Sequence, residues 1–202
     1  HIKIADGGLA ALVGPNISNS GVITANLGKV QLGSGDTFAL DLYGDGLINL
    51  QASPAITSQL IDNSGTLQAD GGKVLLTTAA AAQEVDSLIN LGGLVQANSV
   101  GEKNGEVVLY AQGAGGTALV SGTISASGKN SGESGGNVTV TAHHTGILSG
   151  ATIDASGDAG GGHVKIGGDF HGQGSTPTAS ATVVQSGAAI HADAIASGNG
   201  GS

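Results

Sequence analysis

Gly93-Leu94-Val95-Gln96-Ala97, then a spacer, then Val107-Val108-Leu109: this phrase decides the fold, because the chain keeps rewriting it. It reads Gly21-Val22-Ile23-Thr24-Ala25 before Val30-Gln31-Leu32, and Gly65-Thr66-Leu67-Gln68-Ala69 before Val74-Leu75-Leu76. It returns as Gly122-Thr123-Ile124-Ser125-Ala126 before Val138-Thr139-Val140. A copy one residue longer runs from Gly150 to Ala155 and on to Val164-Lys165-Ile166, and another opens at Gly187 and reaches Ala192. A unit repeated at this length is one supersecondary element stacked many times, so the expected architecture is a solenoid.

Within each copy the apolar residues alternate, the period of a strand with one face buried. Gly, Asn, Asp and Ser clusters such as residues 156–162 separate the strands and read as turns. The residue before the second strand is polar in each copy (Lys29, Lys73, Glu106, Asn137, His163), as an outward register requires. The last apolar slot of the first strand is always Ala (Ala25, Ala69, Ala97, Ala126, Ala155, Ala192), which marks a corner too tight for a larger side chain. Phrase-start glycines lie 28 or 29 residues apart between Gly65 and Gly150. The longer interval after Gly21 is expected to hold an extra coil over residues 38–50, and residues 77–85 an insertion loop or a short turn of helix. The fold class is therefore all-β: a parallel β-helix solenoid, right-handed by expectation. Residues 1–202 form a single segment of about seven or eight coils, expected to be cut from a longer array.

Composition agrees. The chain has 202 residues with 38 Gly, two Phe, two Tyr and no Trp, Met or Cys. Its 39% apolar share is mostly small and medium aliphatic residues, suited to a narrow core fed by short strands. Only 10% of residues are charged and mean hydropathy is +0.18, which argues against reading the glycines as disorder. A net charge of −9 with no Arg lacks the basic footprint of a nucleic-acid binder. No apolar run approaches the ~20 residues of a membrane-spanning helix, so neither nucleic acid nor membrane insertion is expected.

A family resemblance now has residues to stand on. The stretch from Gly8 to Ala25 with Gly28-Lys29-Val30-Gln31-Leu32, and the stretch Leu40-Asp41-Leu42-Tyr43-Gly44-Asp45-Gly46-Leu47-Ile48, resemble the shaft of filamentous-haemagglutinin-type large exoproteins. These are the secreted partners of bacterial two-partner secretion systems. The resemblance implies a rod-like adhesin, secreted to the cell surface through an outer-membrane β-barrel transporter, that attaches cells to each other, to a biofilm matrix or to a host. The family's Asn-Pro-Asn secretion motif is absent, which places the segment beyond the secretion domain.

The same residue types can serve chemistry or structure. Glycoside cleavage needs two carboxylates about 5–9 Å apart. Asp41 with Asp45 and Asp154 with Asp158 are close in sequence, yet any solenoid with an acid per coil offers such pairs. The expectation is a non-enzyme without cofactors, with a polysaccharide lyase or hydrolase of the β-helix class as a second alternative. Glycine-rich calcium repeats do not occur in tandem. His143, His144, His163, His171 and His191 crowd the last third; aligning coils places His143 and His144 near Asp169 and Phe170, the convergence a zinc site would need, but the expectation is exposed turn histidines and no metal site. The first alternative to a passive shaft is an exopolysaccharide- or host-glycan-binding module. Its candidate ligand surface is Tyr43 flanked by Asp41 and Asp45, the best aromatic cluster among Phe38, Tyr43, Tyr110 and Phe170.

Overall fold

A computed structural model of the chain describes residues 1–40, 48–80 and 85–202. Strands β1 (Ile2–Lys3), β2 (Leu9–Gly14) and β3 (Asn16–Asn19) wind one turn around a central core. The second turn consists of β4 (Val22–Thr24), β5 (Lys29–Ser34), an inserted hairpin of β6 (Thr37–Leu40) and β7 (Ile48–Gln51), and β8 (Ser58–Asn63). The third is β9 (Thr66–Gln68), β10 (Lys73–Thr78) and β11 (Asp86–Leu91); the fourth is β12 (Leu94–Gln96), β13 (Glu106–Ala111) and β14 (Gly116–Val120). The fifth is β15 (Thr123–Ser125), β16 (Asn137–Ala142) and β17 (His144–Ile147), and the sixth is β18 (Thr152–Asp154), β19 (His163–Ile166) and β20 (Ala181–Val184). Strand β21 (Ala189–His191) opens a seventh.

Corresponding strands pair in parallel from coil to coil and form three faces. The first face runs β1-β4-β9-β12-β15-β18-β21, the second β2-β5-β10-β13-β16-β19, and the third β3-β8-β11-β14-β17-β20. At about 4.8 Å per paired strand, the seven strands of the first face span about 29 Å. The parallel β-helix read from the sequence is the observed architecture. The extra coil expected over residues 38–50 is not formed by the described residues, where β6 and β7 pair with each other, antiparallel. The reason is visible in the ladder, where β3 pairs directly with β8 and leaves no rung for an extra strand. Of residues 77–85, Thr77 and Thr78 end β10, and 81–84 lie outside the described residues.

Register makes the core a set of vertical rows. Ile23, Leu67, Val95, Ile124 and Ile153 stack along the inside of the first face. Val30, Val74, Val107 and Val138 do so in the second, with Leu32, Leu76, Leu109 and Val140 beside them. The alanine row follows at the corner, and Ala25, Ala69, Ala97, Ala126 and Ala155 are fully buried. Ile4 occupies the equivalent place in the first coil, its N–H bonded to Thr24 O at 2.8 Å.

Two devices hold the corners. Between the third and first faces, Gly21, Gly65, Gly93 and Gly122 stack with almost no clearance; a Cβ on any of the last three would stand 2.1 Å from the carbonyl oxygen below. Between the first and second faces the residue after each alanine is Asn26, Asp70, Asn98, Ser127, Ser156 or Asp193. These polar residues lace neighbouring coils together: Asp70 N donates to Asn26 Oδ1, Asn98 N to Asp70 Oδ1, Ser127 N to Asn98 Oδ1, and Asp193 N to Ser156 Oγ. Inside the third face Asn19 and Asn63 are buried, and Asn19 Nδ2 donates to Asn63 Oδ1 at 2.7 Å.

Candidate functional site

The outer surface of the second face is where the rod departs most from its repeat, because two insertions leave the same corner and both bend back over it. The first is the β6–β7 hairpin. Gln31 points outward from β5, yet it is fully buried, because its amide pairs with the hairpin backbone. Nε2 donates to Ile48 O at 2.7 Å and Oε1 accepts Ile48 N–H at 2.7 Å, so the side chain imitates a strand edge. Next to it Gly33 leaves room for Leu50; a Cβ there would come within 2.5 Å of Leu50 Cδ1. At the hairpin base Asp36 accepts the Ser53 hydroxyl and, at 2.8 Å, its N–H, and these bonds hold the carboxyl below its ordinary range.

The second insertion, residues 167–180, folds over the far end of the same face. Thr141 of β16 donates its hydroxyl to Pro177 O at 2.7 Å. Asp169 organises the turn: Lys165 Nζ lies 2.6 Å from Oδ1 and Thr176 N–H donates to Oδ2 at 2.7 Å. The Lys165 contact, then the Thr176 bonds, lower its pKa to about 2. The turn presents Phe170, 86% exposed, with its ring against His171 at a centroid distance of 4.1 Å. His171 adopts φ 56°, the left-handed region that non-glycine residues seldom occupy.

Because the folded-state pKa of Asp169 lies below the unfolded value, its ion pair and hydrogen bonds stabilise the loop fully above about pH 4. That contribution is lost as pH falls from there through about 2. The Thr176 amide proton shift is therefore expected to titrate with a midpoint near 2. In Asp169→Asn this transition disappears; a midpoint at the ordinary aspartate value of 3.8 in the unaltered chain would contradict the arrangement.

Between the two insertions an open strip remains, formed by Lys73 and Leu75 of β10, Glu106, Val108 and Tyr110 of β13, and Asn137 and Thr139 of β16. Lys73 Nζ lies 3.2 Å from Glu106 Oε1. A shallow recess at its upper end is lined by Glu106, Asn137, Thr139, His163 and Lys165.

The residues singled out from sequence fare differently. Asp41, Tyr43 and Asp45 lie outside the described residues. Asp154 and Asp158 are both engaged in corner contacts. Asp154 lies 2.7 Å from Lys129 Nζ and accepts Ser156 N–H; burial works to raise its pKa, but these contacts outweigh it and the net shift is downward. Asp158 accepts Gly132 N–H at 2.8 Å. Glu133, which sequence reasoning passed over, is buried and ties two corner loops together. Hydrogen bonds from Asn130, then from Gly101 N–H at 2.9 Å, lower its pKa.

The histidines scatter. Two backbone N–H groups, of Ser180 and Ala181, bond to His143 O, so the His143–His144 corner sits level with those residues and not with Asp169 and Phe170. The loop of residues 167–180 inserts at this corner and displaces the alignment. His163 meets Ser202 Oγ at 2.8 Å, and His191 lies 3.6 Å from Asp193. Among the described residues, no three His, Asp or Glu side chains converge as a metal site, and no helix is long and apolar enough to cross a membrane.

Comparison with known proteins gives three findings. No family model matches the chain. The crystal structure of the HMW1 secretion domain from Haemophilus influenzae superposes on 95% of the chain with a TM-score of 0.72 and 27% identity; the chain spans 50% of that structure. A heme/hemopexin-binding protein from Haemophilus influenzae is 34% identical over 83 residues, 41% of this chain and 9% of that protein. The likenesses support a relation to exoproteins of the two-partner secretion class.

Proposed function

We propose that this chain is a β-helical segment of a bacterial exoprotein that reaches the cell surface through a partner β-barrel in the outer membrane, and that it forms the base of an adhesin rod. The observation that carries this reading is the superposition of nearly the whole chain on part of a secretion domain. That match shifts the position inferred from the missing Asn-Pro-Asn motif: the segment is read as lying within the secretion domain, and its coils as the foundation on which a shaft stacks.

The geometry suits the task. From the second coil on, each strand of the three faces bonds to its counterpart in the coil before it, so a chain emerging on the outer side can add strand upon strand to what has already folded. With no cysteine, no thiol can be trapped by oxidation on the way. The acids at the corners serve as hydrogen-bond acceptors and ion-pair partners, and on that basis the segment is read as non-enzymatic. The haem and hemopexin binding in one relative's name belongs to a protein of which 9% is matched, and we do not extend it to this chain.

Removing residues 1–202 in frame from the parent protein tests the reading. The expected outcome is loss of the parent from the surface and medium, with accumulation behind the outer membrane, while its transporter is still made. Export at the undiminished level, with only the rod shortened, would show that the segment is shaft alone.

A further inference from the structure

We propose that His143 and His144 together form a chelating site for a late first-row divalent cation, Zn²⁺ above all. Strand β16 ends at Ala142 and β17 begins at His144, so the chain passes from the second face to the third on His143 alone. Consecutive residues of a strand point to opposite sides. At a one-residue corner that alternation fails, and the two rings come together edge to face, with centroids 4.5 Å apart and planes at 89°. Their Nδ1 atoms are 3.4 Å apart. Two Zn–N bonds of about 2.0–2.1 Å at the tetrahedral angle place their nitrogens about 3.3–3.4 Å apart, so the pair already has the bite of a tetrahedral ion.

The surroundings favour binding. The backbone of the corner is pinned from the coil above, where Ser180 N and Ala181 N both donate to His143 O, so the rings are carried on a fixed frame. His144 stands between Thr117 and Ala181 in the ladder, side chains too short to cover it. His143 borders a recess shared with Tyr110, Pro177 and Thr178, which leaves room for water to fill the remaining coordination positions. The two nitrogens face each other as hydrogen-bond partners. Small rotations about the Cβ–Cγ bonds redirect both lone pairs to a common point. The ligand set is two neutral imidazoles, which select zinc, copper and nickel over calcium or magnesium.

Calorimetric titration with ZnCl₂ tests the site. It is done in a His1→Ala background, which removes an exposed imidazole outside the corner. The expected result is one Zn²⁺ per chain, with affinity reduced more than tenfold by His143→Ala and by His144→Ala and unchanged by His171→Ala. Both corner variants should retain the parent's circular dichroism and melting temperature, and His144→Asn gives a second test with a polar side chain in place. No saturable binding, or binding that survives all three corner substitutions within twofold, would overturn the proposal.

Discussion

Gly93→Ala is expected to cost about 3 kcal/mol or more, enough to shift the urea midpoint of the whole rod. The reason is not backbone freedom, since Gly93 has no positive φ. The new methyl would stand 2.1 Å from Gly65 O and within 2.8 Å of Ser64 backbone atoms. That same Gly65 oxygen accepts the N–H of Leu94 at 2.9 Å, so moving aside breaks a rung of the first face. The row repeats above and below, with Gly122 seated on Gly93 O in the same way, so no flexible side chain is available to yield. Gly101→Ala is the matched control. Gly101 has φ 59° and open space around its Cα, so it should lose only the left-handed penalty of about 1 kcal/mol. Comparing urea midpoints decides the matter: a Gly93→Ala midpoint above that of Gly101→Ala would contradict the close-stacking account.

The second large effect is expected from Ile124→Ala, about 3–5 kcal/mol. Ile124 is fully buried, with Val95 below it and Ile153 above it in the same inward row. Truncation leaves a void that cannot close, because both neighbours are fixed by their own ladder bonds. The core also has little redundancy: each coil contributes a handful of aliphatic side chains, and the chain's four Phe and Tyr rings include Phe38 and Phe170, which are exposed. Thr123→Ala, one residue away on the outside of the same strand, should stay within about 0.5 kcal/mol. Thermal melting of the two variants side by side reads the contrast directly, and equal losses would mean that the inward and outward assignments are wrong.

The contrast between Ile124 and Thr123 also shows what the sequence made legible. Period two, the invariant alanine and the polar residue before the second strand are each imposed by one physical demand acting identically in every coil. Repetition multiplies a weak signal until it can be read. The residue after each alanine carried the same kind of signal, since Asn26, Asp70, Asn98, Ser127, Ser156 and Asp193 are all small and polar, but its meaning is clear only once the ladder is seen. Features that occur once were not legible. Residues 38–50 contain strand-forming residues, and nothing in them says whether they pair with a neighbouring coil or with each other. Gln31 sits at a nominally exposed position, and only the hairpin folding back over it explains its burial. The histidines misled for a related reason. Their expected level assumed constant coil length, and the insertion of residues 167–180 breaks that assumption at the corner where His143 and His144 lie.

All of these inferences depend on one geometric claim: coils stack in a single direction, so that distance along the sequence becomes distance along the axis at one strand spacing per coil. Val22 and Ala189 are the ends of an outward row that passes through Thr66, Leu94, Thr123 and Thr152, five strand spacings long. The absence of native cysteine permits clean labelling of a Val22→Cys, Ala189→Cys chain with nitroxides. Pulsed electron spin resonance should give one narrow distance distribution centred near 24 Å, broadened by the label tethers. A broad distribution, or one centred beyond about 40 Å, exceeds what five strand spacings allow and would contradict the stacked coil.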